Sequence, residues 1–285
     1  MSSELLFKSF IDWIFKDAPH GDLTSNLLIP RDCIVKAIII AKSSGVAACV
    51  EEISEVLEKF GLKIHINVKS GQKFSVGDEI MVIEGSARNI LLIERTLLNL
   101  LSYLFGVATS TRIFIEKARM VSSKVRIAST RKYPPGLGYL AKMAVNYGGG
   151  DTHRFSLSDA ILIKDNHLAI IGDLCEAIKI AKSKVSFIHK IEVEVRSLNE
   201  AILAVESGAD VIMLDNMSVE EVSKVIEELK VRGLRDKVLI EVSGGINIDN
   251  IIDYAKLDVD IISTSKITMN PVSIDLSLEI VNVLK

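Results

Sequence analysis

Residues 191–215 read IEVEVRSLNEAILAVESGADVIMLD, and they decide the architecture. Two runs rich in Val and Ile, IEVEV (191–195) and DVIMLD (210–215), flank a helical pattern at Leu198–Ser207. Strands that are apolar almost throughout are covered on both faces, as in parallel sheets. The stretch therefore reads as strand, helix, strand. The same rhythm extends outward to VRIAS (125–129) and AILIK (160–164) on one side and to VLIEVS (238–243) and DIISTS (260–265) on the other. Helical patterns at Asp173–Lys182, Val219–Lys230 and Ile248–Ala255 separate several of these runs. Six such runs with no Gly-rich dinucleotide fingerprint favour barrel-like closure over an open doubly wound sheet.

Before about residue 110 the rhythm is different. A helix is expected at Leu5–Lys16, a β-rich run at Ile34–Ala41 and a helix at Ala48–Phe60. Short strands follow near Lys63–Val68 and Glu79–Glu84, with turn signals at Ser70-Gly71 and Gly77-Asp78. This is an α+β arrangement with a small antiparallel sheet, followed by a long helical pattern over Asn89–Arg119. The expected domains are 1–110 and 111–270, with 271–285 read as a helix that rejoins the first.

The chain has 285 residues, 48% hydrophobic and 25% charged, with 34 Lys+Arg against 37 Asp+Glu and a net charge of −3. These values exclude a disordered or collagen-like chain. Without a Lys/Arg run there is no footprint for nucleic acid. Glu4, Lys8 and Asp12 interrupt the apolar start, so no signal peptide is expected. Glu94 and Arg95 sit inside the most apolar long window, Ile90–Phe105, so no membrane span is expected either. Cys33, Cys49 and Cys175 form neither a disulfide framework nor zinc spacing, and a cytoplasmic protein is expected.

In βα barrels the reacting groups sit at the C-terminal ends of the strands. The polar residues there are Arg131 and Lys132, then Lys164 with Asp165-Asn166-His167, then Glu194. Asp215-Asn216, Ser243-Gly244-Gly245 and Thr264-Ser265-Lys266 follow the later strands, and the loop Gly148–Arg154 adds His153 and Arg154. Clustered Arg, Lys and His suit a small substrate with several anionic groups, because guanidinium binds carboxylate and phosphate bidentately. Ser-Gly-Gly ahead of a helix beginning at Ile248 suits a phosphate. Glu194 and Asp215, on neighbouring strands, suit Mg²⁺, directly or through water, or a developing cation. Each has a plainer reading as well. Asp215 and Ser-Gly-Gly serve equally as helix caps, His153 alone is more often structural, and Gly148–Gly150 is an ordinary turn as often as not. Arg95 within an apolar helix needs a partner or an anion.

With these residues in place, the chain resembles the quinolinate phosphoribosyltransferase family. The resemblance is carried by GDLTSNLLIP (21–30), ERTLLNLLSYLFGVATSTR (94–112), STRKYPPGLG (129–138), AVNYGGGDTHRFSLSDAILIKDNHL (144–168), EVEV (192–195), MLDN (213–216) and EVSGGIN (241–247). It implies an α/β fold in which an N-terminal α/β sandwich accompanies an incomplete α/β barrel, and a homodimer or higher even oligomer with shared active sites. It further implies transfer of the phosphoribosyl group of phosphoribosyl pyrophosphate to quinolinate, with Mg²⁺, giving nicotinate mononucleotide, pyrophosphate and CO₂ in NAD synthesis. By motif position, Arg95 would reach the neighbouring subunit's site, and Thr130, Arg131, Lys132, His153, Arg154 and Lys164 would surround the substrate anions. Lys164, Glu194 and Asp215 would carry the chemistry, while Ser243, Gly244, Gly245, Thr264, Ser265 and Lys266 would bind the 5-phosphate. The family pattern commonly has Asp, Arg and Asn where this chain has Ser129, Gly138 and Thr152, and a Gly near Ser265 or Lys266. Rival readings are the molybdenum-transport-associated branch, a nicotinate phosphoribosyltransferase, and a barrel aldolase using Lys164 as a Schiff-base amine.

Overall fold

IVKAIIIA at residues 34–41 buries Val35, Ala37, Ile39 and Ala41 at a spacing of two, the pattern of a strand with one covered face. In the computed structural model, which describes residues 3–285, this run is β1 (Ile34–Ala41), preceded by α1 (Ser3–Asp17) and α2 (Leu23–Leu28). There follow β2 (Gly45–Val46), α3 (Val50–Lys59), β3 (Lys63–Ile66), β4 (Lys73–Phe74), β5 (Glu79–Ser86) and α4 (Ala87–Arg119). β1 pairs antiparallel with β5 on one side and with the C-terminal strand β12 (Leu276–Val283) on the other, and β3 completes the order β12-β1-β5-β3.

β12 corrects the expected C-terminal helix. Leu276, Leu278 and Ile280 alternate with Ser277 and Glu279, and a segment with that period settles on the open edge of β1 more readily than it coils. α4 is long and apolar enough to cross a membrane by length and composition alone. In the structure 56% of its most apolar window is buried, with Ile90, Ile93, Leu97, Leu101 and Leu104 in the core.

Two compact units result, one of Met1–Arg112, Tyr139–Gly149 and Pro271–Lys285, the other of Ile113–Gly138 and Gly150–Asn270. The expected division at residue 110 becomes one at 112, inside α4, and α5 (Gly138–Tyr147) contributes almost entirely to the first unit. Tyr147 Oη donates to Glu52 at 2.7 Å, which ties α5 to α3. A Cβ on Gly148 would lie 2.6 Å from the Ala108 carbonyl, so the end of α5 can approach α4 this closely only with glycine there.

The second unit is the βα repeat. β6 (Arg126–Ser129), β7 (Ile161–Ile163), β8 (Ile191–Val195), β9 (Val211–Asp215), β10 (Leu239–Ser243) and β11 (Ile261–Thr264) form one parallel sheet in the order β6-β11-β10-β9-β8-β7. Between them run α6 (Asp165–Ile171), α7 (Leu174–Lys184), α8 (Leu198–Glu206), α9 (Val219–Val231) and α10 (Ile251–Ala255), with α11 (Lys266–Met269) after β11. Ser197 and Ser218 cap α8 and α9 by accepting from Glu200 and Glu221 N–H groups, which fixes where each strand hands over to its helix. Among the described residues β6 and β7 do not pair, so the barrel is incomplete.

α10 is shorter than expected. Asn247 Oδ1 accepts from the N–H groups of Asp249 and Asn250, and this turn holds the helix back from Ile248 to Ile251. Ser243-Gly244-Gly245 therefore lies in a loop and not at a helix N-terminus.

Candidate active site

At the C-terminal ends of the parallel strands lies a cavity of about 340 Å³. Its wall brings together ten of the residues picked out in sequence: Thr130, Arg131, Lys132, His153, Arg154, Lys164, Asp215, Ser243, Gly244 and Gly245. The strand ends are what assemble them. Arg131 and Lys132 follow β6, Lys164 follows β7, Asp215 ends β9 and Ser243 ends β10. Burial first, and then the like charge of Arg131, lowers the pKa of the Arg154 guanidinium. Cations crowded in this way call for an anion between them.

The floor of the cavity joins His153 to two carboxylates that were not singled out from sequence. His153 Nε2 stands 3.1 Å from a Glu192 oxygen and 3.2 Å from a Glu241 oxygen, and both glutamate side chains are buried within the strands β8 and β10. Burial alone would lower the imidazole pKa, but hydrogen bonds and charges from the two carboxylates outweigh it and raise it to about 10. Burial likewise raises Glu192, partly offset by the hydrogen bond from His153. The Arg154 backbone N lies 2.7 Å from His153 Nδ1, and this contact turns Nε2 toward the carboxylates. His153, Glu192 and Glu241 have donor atoms within 4.8 Å of one another, the reach of a metal site. The imidazole meets both carboxylates directly, and its raised pKa keeps a proton where a metal would sit. His153 takes φ +51°, a left-handed conformation that turns its ring toward the strands.

The rim carries a second carboxylate set. Lys164 Nζ donates to Glu194 at 2.8 Å, and Glu194 shares its other oxygen with Arg196 at 3.2 Å. Arg196 also meets Asp165 at 3.1 Å and Asp215 at 3.6 Å. Asn216 holds Asp215 through a 2.9 Å hydrogen bond, and its backbone N–H donates to the Ser243 carbonyl. A Cβ on Gly244 would lie 2.4 Å from Asn216 Oδ1, and Gly244 and Gly245 have φ of +84° and +65°, so this loop requires its glycines.

The remaining sequence candidates sit elsewhere. Glu194 touches Lys164 without forming cavity wall. Thr264 donates its hydroxyl to the Ile246 carbonyl and braces the Ser-Gly-Gly loop from behind, while Ser265 and Lys266 begin α11 outside the cavity wall. Arg95 belongs to the first unit, where it lines another recess with Glu94 and the segment Asp17–Leu23. Sequence reasoning passed over Glu192, Glu241 and Arg196. The signal for the first two was a charged residue inside an otherwise apolar strand, which burial tolerates only with a partner.

Fold and site together define an enzyme of the incomplete α/β-barrel class with cations clustered at its strand ends. Residues 22–105 match the quinolinate phosphoribosyl transferase N-terminal domain, and residues 107–279 match the C-terminal domain of the same name. The chain belongs to the quinolinate phosphoribosyl transferase family. It is 45% identical over 269 residues to the probable nicotinate-nucleotide pyrophosphorylase (carboxylating) of Methanothermobacter thermautotrophicus, spanning 94% of this chain and 96% of that one. The protein of the same name from Methanocaldococcus jannaschii is 47% identical over 268 residues, 93% of each chain. The solved structure of NadC from Streptococcus pyogenes superposes with a TM-score of 0.90 at 32% identity, over 100% of this chain and 99% of that one.

Proposed function

We propose that this chain joins quinolinate to 5-phosphoribosyl 1-pyrophosphate, releasing pyrophosphate and CO₂ and forming nicotinate mononucleotide, a step of de novo NAD synthesis. The observation that carries the reading is the ring of Arg131, Lys132, His153, Arg154 and Lys164 on one cavity wall. Quinolinate has two adjacent carboxylates and its co-substrate has several phosphate oxygens, so clustered positive charge suits both. Family membership supports the same reading, and the molybdenum-associated and nicotinate-specific alternatives have no observation in their favour here.

The chemistry is an exchange at two carbons. At C1 of the ribose the bond to pyrophosphate oxygen breaks, taking its electron pair with the leaving group, and the pyridine nitrogen forms the new bond. Asp215 and Glu194, reaching this end from β9 and β8, stabilise the positive charge that develops on the ribose carbon. At the pyridine carbon beside the new bond, the carboxylate leaves as CO₂, its electron pair stays on the ring next to the cationic nitrogen, and a proton takes its place. Arg131, Arg154 and Lys164 orient the carboxylates, and His153 is held at their base by Glu192 and Glu241. Uniformly tight binding of the departing carboxylate would slow its loss, so these cations act by orientation.

Glu194 and Asp215 also fit Mg²⁺. They offer hard oxygen donors on adjacent strands, and both already meet one cation, the Arg196 guanidinium. Bound with phosphoribosyl pyrophosphate, Mg²⁺ would neutralise the departing pyrophosphate. The Ser243-Gly244-Gly245 loop, with Thr264 behind it and Lys266 nearby in sequence, takes the 5-phosphate on backbone N–H groups that its positive φ values expose. The working form is a cytoplasmic homodimer or higher even oligomer in which Arg95 enters the neighbouring subunit's site.

A product assay tests the reaction. Quinolinate labelled in the carboxylate next to nitrogen, with phosphoribosyl pyrophosphate and Mg²⁺, should release one labelled CO₂ per nicotinate mononucleotide. Turnover of nicotinate without CO₂ release would overturn the carboxylating assignment. Mixing inactive Arg95→Ala chains with inactive Lys164→Ala chains tests the shared site. Random pairing should restore about a quarter of wild-type activity, and no recovery after confirmed exchange would refute it.

A further inference from the structure

Arg196 is a cation that the function above does not use. It follows β8 directly, and its backbone N–H donates to Glu200 at 2.7 Å, which fixes the main chain at the start of α8. Its guanidinium gathers carboxylates from three successive strand ends. One Nη2 lies 3.1 Å from Asp165 Oδ2 and 3.2 Å from Glu194 Oε1, and Nε lies 3.6 Å from Asp215 Oδ2. The two sides of this contact differ in freedom. The side chains of Glu194 and Asp215 are 7% and 15% exposed, whereas that of Arg196 is 56% exposed. The carboxylates are held in place by Lys164 and Asn216. The guanidinium, on a long flexible stem, can leave without opening any core.

We propose that Arg196 is the resident counter-cation of the Glu194–Asp215 pair: it neutralises both carboxylates in the free enzyme and competes with Mg²⁺ for them. The inference rests on the proposed Mg²⁺ site. Two nearly buried carboxylates on adjacent strands are costly without a counter-charge, and the guanidinium that contacts both supplies one before any substrate arrives. A bare divalent ion gains little by evicting a guanidinium that already spans the pair. An ion arriving on a diphosphate offers the displaced guanidinium new oxygen partners in a bidentate geometry it is built to make. Mg²⁺ therefore enters with the phosphorylated substrate and poorly without it. Arg196 acts here as a positioning residue.

Mn²⁺ titrations followed by electron paramagnetic resonance on the ligand-free protein test this without reference to turnover. Arg196→Gln should bind Mn²⁺ about three- to tenfold more tightly than wild type. Adding Glu194→Gln to that variant should abolish the gain. With phosphoribosyl pyrophosphate present, the two proteins should differ less, and the variant should show a raised KM for the metal–substrate complex with a smaller change in kcat. Equal Mn²⁺ affinity of wild type and Arg196→Gln, with binding present in both, would overturn the role of Arg196 and leave the Mg²⁺ site standing. No Mn²⁺ binding to either protein, with or without phosphoribosyl pyrophosphate, would overturn both.

Discussion

Glu192 and Glu194 are two residues apart on β8 and point to the same face, yet they live in different chemistry. Glu192 meets an imidazole that is itself largely buried, and a third buried carboxylate from β10 closes the group. Glu194 meets Lys164 and Arg196, both half-exposed side chains on flexible stems. The floor is thus a fixed trio with an internal proton, and the rim is a set of fixed carboxylates with replaceable cations. What separates them is the freedom of the partner, since the carboxylates are equally buried. A buried, rigid partner makes a carboxylate part of the scaffold, whereas a mobile one leaves it available to a substrate.

If the contrast holds, substitutions at the two glutamate sites fail in different ways. The largest expected effect is at the rim. Glu194→Gln keeps the shape and one hydrogen bond from Lys164 but removes the charge proposed to face the ribose, so kcat should fall by about 10²–10³ while the unfolding midpoint stays near wild type. A large loss of stability with kcat intact would reverse the assignment of rim and floor. At the floor the next largest effect is structural. His153→Ala leaves Glu192 and Glu241 facing each other without their partner, and removing one member of a buried charged group costs about 3–5 kcal/mol. Urea unfolding near neutral pH should show it, and Glu241→Gln in the same chain should recover part of the loss. A stability unchanged by His153→Ala would mean that the trio is not the fixed element described here.

How much of this was legible beforehand follows the same division. The strands were legible because their apolar runs are local, and the rim residues because barrel chemistry sits at strand ends: Lys164, Asp215 and Ser243 all lie where the βα rhythm places them. The floor was not, because the meeting of Glu192 with Glu241 depends on the register of β8 and β10 through β9, a long-range property. Nor does any local signal foretell that His153 adopts φ +51° and turns inward. Arg196 stood in plain view at the end of IEVEV, but the direction taken by a long side chain is set by the carboxylates around it. β12 was misjudged for a related reason, since its strand form comes from the exposed edge of β1, more than two hundred residues away.

The smallest of these effects is also the one that separates floor from rim most directly, because it is read through pH. The pKa of His153 is raised in the folded protein to about 10 from an ordinary value of 6.5. A raised pKa means that the folded form holds its proton more tightly than the unfolded one. The stability from this source is therefore complete below about pH 6.5 and is lost as pH rises toward about 10. The wild-type unfolding free energy should fall across that window by no more than a few kcal/mol, beyond any general alkaline decline. Glu241→Gln removes one of the two charges that hold the proton, so its decline should begin at lower pH, while Glu194→Gln should keep the wild-type profile. Superimposable curves for wild type and Glu241→Gln would show that the proton is not held by the pair, and the floor would then differ from the rim only in how exposed its cationic partner is.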